Sequence, residues 1–253
     1  MRRRLILSVL ALSVSLSGNS LVSMHSWAQG PAGPPLQLPI FTESCTQANK
    51  DALLIAHENM GLMLDDALAG VSDEFESKEY RESFGAPHPD RDFDVLGRLL
   101  LMRIGASVVL MTANCLQIGQ DATCDKGVWA YVPKPAAGAA AQNHIINFCH
   151  SYFSATDELV QRVSLWEKVS MMQGAVFLHE LTHFTWDTKE LLGSVGMHPD
   201  ANTHITEGTI DKRYNADRVK KLAERHPEKA IVNADSYHIF VVKLAMRKGT
   251  IYK

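Results

Sequence analysis

The stretch GAVFLHELTHF, residues 174–184, constrains the fold more than any other part of the chain. At 100° per residue, Gly174, Phe177, Leu181 and Phe184 fall on one side of a helix. Met172, Ala175, Val176 and His183 share the side of His179, so a helix here is apolar nearly all round and has to be buried. Yet it carries His179, Glu180 and His183, and polar side chains placed in an apolar layer cost a few kcal/mol each unless they find partners. The fold must therefore wrap a core around this helix and keep one polar site against it. Upstream, Ser164-Leu165-Trp166-Glu167 has the S-x-x-E form of a capping box and predicts where the helix starts.

Helical spacing of apolar residues predicts a first long helix from Thr46 to about Ala69, with Gly70 as its stop. A short charged helix over 73–84 follows, closed by the turn Gly-Ala-Pro-His-Pro, and another helix runs from Phe93 to Ile104. VVLMTA (108–113), GVWAYVPK (127–134) and HIINFCHSYF (144–153) read as strands, and the small residues of 135–141 as a turn or loop. Helices, then a few strands, then helices again describe an α+β domain with a small sheet.

The ends fix the compartment. A basic MRRR, an apolar run from Leu5 to Leu16 and the small residues of Ser26-Trp27-Ala28 predict a cleaved export signal over 1–28. Residues 29–43 are rich in proline and glycine and read as an extended leader outside the fold, leaving a single domain over 44–253. No later stretch approaches the about 20 apolar residues of a membrane span, so no stable membrane anchor is expected. Losing the three arginines of the signal leaves 22 basic against 28 acidic side chains, which argues against nucleic acid as a partner. Four cysteines, Cys45, Cys115, Cys124 and Cys149, lie in the exported part, where an even count favours two disulfides in any of three pairings.

The two histidines of HELTH are four apart, one turn up the same face, so both imidazoles can aim at one point. Two imidazoles and a carboxylate suit Zn²⁺ with one position left open, one ion per chain. Glu180 is 100° round from His179, placed to take a proton from a metal-activated water as general base. Metal-assisted hydrolysis of an amide bond is the expected chemistry. The extended pattern HExxHxxGxxH fails, because Trp186 and Lys189 occupy its later positions. His198, His204, Glu207 and Asp211 are all candidates for the third ligand, and spacing does not choose among them.

HELTH followed by Gly208-Thr209-Ile210-Asp211-Lys212-Arg213-Tyr214 resembles the HExxH plus GTxDxxY signature of the deuterolysin-type zinc metalloendopeptidases, the aspzincins. Cys124 to Pro133, HIINFCHSYF and Asn233-Ala234-Asp235-Ser236-Tyr237 are similar to three further stretches of that family, so the likeness runs from Cys45 to about Phe240. The resemblance implies a mostly helical zincin-like fold with His179, His183 and Asp211 as zinc ligands, and Tyr214 stabilising the oxyanion. It also implies disulfides Cys45–Cys115 and Cys124–Cys149, with a small Cys115–Cys124 loop as the chemical rival. The expected product is a secreted, extracellular, monomeric endopeptidase acting on proteins or peptides; the alternative is a catalytically degenerate relative acting as a binding or effector protein. The chain departs from the family in three places, one of them Asn215, where the family often has glycine. Asp211 follows His183 by 28 positions, so Trp186 to Thr206 reads as an insertion. Of the aspartate and glutamate with which lysine-specific members grip their substrate, Asp235 matches the first and His238 replaces the second. Asp235 is therefore either a substrate-binding residue or one that orients a zinc ligand.

Overall fold

A computed structural model describes residues 34–69, 71–133, 144–154, 166–184, 209 and 216–249. The export signal, Ser164 of the capping box and the segment Trp186 to Thr206 lie outside the described residues.

Helix α1, Gln47–Leu68, starts where Thr46 Oγ1 accepts the Asn49 N–H, a side-chain cap for an otherwise orphaned donor. Its buried face is Leu53, Ala56, His57, Met60, Met63, Leu64 and Ala67. At its other end the Lys248 ammonium donates to the carbonyls of Asp66 and Ala69, where a cation suits the helix dipole. The charged segment 73–84 is two helices, α2 (Val71–Glu74) and α3 (Lys78–Phe84), because Ser77 interrupts the run and caps α3 through the Tyr80 N–H. Gly85, at φ +90°, ends α3 in a conformation that side chains avoid.

Helix α4, Pro89–Val108, runs longer than its apolar spacing suggests and absorbs the start of VVLMTA. The strand there is β2, Thr112–Leu116. β3 is only Ala130–Tyr131, and β4 is Ile145–Cys149, after which residues 150–154 turn helical. Short apolar runs do not separate strand from buried helix, and here the chain changes from one to the other inside such runs.

The leader is corrected in part. Residues 34–43 pack on the domain, with β1 at Ile40–Phe41. The Gln37 N–H donates to Ala106 O at 2.9 Å and the Ile40 N–H to Met111 O at 2.8 Å. Leu36 fills the space over Gly61, where an added Cβ would meet its Cδ1 at 2.4 Å. β1 is an edge strand, where a neighbouring proline such as Pro39 removes no ladder bond the sheet needs.

The sheet order is β1-β2-β4-β3, with β1, β2 and β4 parallel and β3 antiparallel to β4. The disulfides are Cys45–Cys115, which ties the start of α1 to β2, and Cys124–Cys149, which ties the loop after β2 to β4. The Cys115–Cys124 rival is not formed.

Helix α5, Trp166–Thr182, is the HELTH helix. It lies against α1, and Gly174 permits the approach: a Cβ there would stand 3.0 Å from Ala56 O and 3.1 Å from Met63 Cε. After α6 (Ala216–Arg225) and α7 (Pro227–Ala230), α8 (Ala234–Lys248) packs on both α1 and α5. Edge-on contacts of Phe84 with Tyr237 and Phe240, and of Tyr80 with Phe240, fasten α8 to α3. The architecture is the mostly helical α+β domain with a small sheet that the sequence implies.

Candidate metal centre

His179 and Glu180 stand in the last turn of α5, and His183 follows its final residue. The helix tightens as it ends, with the His183 N–H bonded to Glu180 O at 3.1 Å and the Phe184 N–H to Leu181 O at 3.2 Å. This brings the two rings to a centroid separation of 5.0 Å, nearly edge to face. Their Nε2 atoms are 3.2 Å apart.

Both outer nitrogens are committed. His183 Nδ1 lies 2.8 Å from Thr209 O, and a carbonyl only accepts, so Nδ1 carries the proton. His179 Nδ1 lies 2.9 Å from Asp235 Oδ1, which assigns the proton to the same nitrogen of that ring. In two neutral imidazoles of this tautomer, lone pairs on Nε2 would face each other at 3.2 Å, a repulsive contact unless a cation or an extra proton sits between them. Two nitrogens bound to one tetrahedral Zn²⁺ at about 2.0–2.1 Å would stand about 3.3 Å apart. The donor pair therefore fits zinc. The C-terminal position of both histidines on α5 adds to the preference for a cation, since the helix dipole is negative there.

Asp235 comes from the first turn of α8, the positive end of that helix dipole. It is 4% exposed, and its Oδ1 also receives the Nδ1 of His238 at 3.0 Å. Burial alone would raise this carboxyl, but the hydrogen bonds and charge of His179 and His238 outweigh it and hold the pKa at about 2. His238 is half-buried, its ring centroid 5.9 Å from that of His179. Glu180 is 4% exposed.

His179, Asp235 and His238 each offer a ligand atom within 4.8 Å of the others, the one such cluster among the described residues, and they are a candidate metal site in their own right. The separations of 2.9 and 3.0 Å are those of hydrogen bonds, however, and leave His179 Nε2 directed to the His183 side. Of the expected site residues, the structure thus brings together His179, Glu180, His183, Asp235 and His238. Asp211, Tyr214 and the other candidate ligands, His198, His204 and Glu207, lie outside the described residues. Sequence reasoning passed over Thr182 and Thr209, the middle of HELTH and the second residue of the GTxD stretch, whose only signal was membership of those motifs.

The sequence pattern of the aspzincin family, described as lysine-specific metallo-endopeptidase, matches residues 200–242. Among solved structures, the chain is similar to a zinc peptidase from Grifola frondosa at 19% identity and a TM-score of 0.53, over 79% of this chain and 97% of that one. At that identity the likeness speaks for the fold. A comparison with curated proteins returns no match. The chain is thus similar to the aspzincin family of metallo-endopeptidases over residues 200–242, and it shares the fold of a zinc peptidase over most of its length.

Proposed function

We propose that the protein is a secreted zinc endopeptidase in which His179, His183 and Asp211 hold one zinc ion, Glu180 is the general base and Tyr214 stabilises the oxyanion. The observation that carries this reading is the pair of Nε2 atoms at 3.2 Å, each on a ring whose other nitrogen is already bonded. Bound there, zinc supplies the Lewis acidity that activates water and polarises the scissile carbonyl. Asp211 enters through the family pattern, and so does Tyr214.

Glu180, buried beside His179, takes a proton from the attacking water and passes it to the leaving amine. Asp235 holds His179 in the tautomer that leaves Nε2 unprotonated, as a ligand needs, a carboxylate–histidine pairing of the kind that fixes ligands in zinc sites. With its Oδ1 committed to two imidazoles and His238 where lysine-specific relatives have glutamate, Asp235 is an orienting residue, and strict lysine specificity is not expected. A peptide substrate would add as a strand to β3, the edge strand packed against α5; β4 lies inside the sheet. Two disulfides suit an oxidising compartment, and no described helix is long and apolar enough to cross a membrane.

The candidate cluster His179, Asp235 and His238 supports a second reading, a metal held on the other side of the His179 ring. Zinc content separates the two: Asp211→Ala empties the site on the first reading, and His238→Ala on the second. For catalysis, Glu180→Gln should keep its zinc while casein cleavage, abolished by 1,10-phenanthroline in the parent, falls about 10³-fold. A variant as fast as the parent would rule out Glu180 as the base, and a zinc-loaded parent that cleaves nothing would favour the binding or effector alternative.

A further inference from the structure

Thr209 makes four contacts with the end of the HELTH helix, across a gap of 26 positions from His183. Its N–H donates to Thr182 O at 2.9 Å, one of the carbonyls that a helix end leaves without an internal partner. Its carbonyl accepts His183 Nδ1–H at 2.8 Å, with its own hydroxyl at 3.4 Å from the same nitrogen. That hydroxyl also lies 2.6 Å from Thr182 Oγ1. The direction of this last bond follows from its neighbour. Thr182 Oγ1 lies 2.7 Å from His179 O, an acceptor only, so the Thr182 proton is spent on that carbonyl and Thr209 must donate. The relay runs from the Thr209 hydroxyl to the Thr182 hydroxyl to the His179 carbonyl, and both threonines are buried, at 5% and 1% exposed.

One residue therefore fixes the tautomer of His183 and, through its side chain, the distance between the chain at 209 and the helix that carries both histidines. We propose that the Thr209–Thr182 hydroxyl pair is a positioning device that sets the register of the metal centre: it holds Thr209, and with it the carbonyl that fixes His183, against the end of α5. This rests on the zinc reading above. The pair does so by closeness. An O–H···O contact of 2.6 Å cannot be copied by hydrocarbon, because a methyl carbon needs roughly 3.5 Å. Replacing the hydroxyl by a methyl pushes Thr209 back from α5 by close to 1 Å and takes the acceptor of His183 with it.

The test compares Thr209→Val, which has the same shape without the hydroxyl, with Thr209→Ser, which keeps the hydroxyl and the backbone contacts. Zinc affinity is measured by competition with a chelator, and the melting temperature of each zinc-stripped full-length protein is measured alongside. Thr209→Val should bind zinc about tenfold to a hundredfold more weakly while its zinc-free melting temperature stays near the parent's, and Thr209→Ser should bind within about threefold of the parent. Three results overturn the proposal: unchanged zinc affinity in Thr209→Val, a loss confined to the melting temperature, or a loss in Thr209→Ser as large as in Thr209→Val. Should Thr209→Val not fold, Thr182→Val breaks the same hydroxyl pair from the helix side and should weaken zinc binding likewise; unchanged zinc affinity there overturns the proposal. A parent that binds no zinc would instead overturn the reading of the site, and this inference with it.

Discussion

His57 on α1 and His179 on α5 are both largely buried, two residues apart in their dealings with α5, and chemically opposite. His57 packs on the Phe177 ring at 5.2 Å, and its Nε2 has no hydrogen-bond partner among the described residues. Burial first, and the Arg103 guanidinium second, lower its pKa to about 4, so it is a neutral spacer in the core. His179 points off the other face of the same helix and meets the Asp235 carboxylate. A carboxylate at one nitrogen orients a buried imidazole and fixes its tautomer, while apolar neighbours make it an inert ring. What separates the core face of α5 from its site face is the partner that another helix supplies, since the residue type is the same.

That contrast can be broken at either histidine. The largest effect expected is on the core side and is a pH effect. Above pH 6.5 His57 is neutral whether the chain is folded or not. As pH falls towards 4 the unfolded chain binds a proton that the native state refuses, so stability present above 6.5 drains away by up to about 3 kcal/mol. Denaturant melts across this window should show the loss, and His57→Leu should flatten it; a parent whose His57-dependent stability rises on acidification would contradict the assignment. Next, Asp235→Ala should turn His179 into a histidine of the other kind and weaken zinc binding tenfold to a hundredfold, read by chelator competition, with no change in the His57 window. The smallest effect is at Gly174, where a methyl group would press on Ala56 O at 3.0 Å. Gly174→Ala should cost about 1–2 kcal/mol in chemical denaturation and leave zinc affinity near the parent's, which shows that the two faces respond separately.

The same contrast explains what was legible in the sequence. The HELTH spacing and the apolar helix around it were local, so periodicity located His179, Glu180 and His183 and buried them together. Helix α1 was equally clear, because its cap and its apolar repeat lie within one segment. The Asp235–His179 bond joins two helices 56 positions apart, and nothing in either helix alone distinguishes a carboxylate that orients a ligand from one that grips a substrate. The Thr182–Thr209 pair was hidden for a like reason, because the short polar side chains of two motifs became a contact only on folding. In the strand region the limit was different. Val108 to Met111 is apolar enough for a strand and for a helix end, and tertiary packing decided the boundary. The leader misled because its prolines suggest an unattached chain, whereas an edge strand accepts them.

The central claim is that His179 and His183 share one zinc ion through their Nε2 atoms. Anomalous scattering at the zinc absorption edge, from crystals of the zinc-loaded protein, tests it directly. The account predicts one strong peak about 2.0–2.1 Å from both Nε2 atoms, with the Asp235 bond to His179 Nδ1 intact. A peak on the Nδ1 side, between Asp235 and His238, or zinc that leaves His183 untouched, would contradict it.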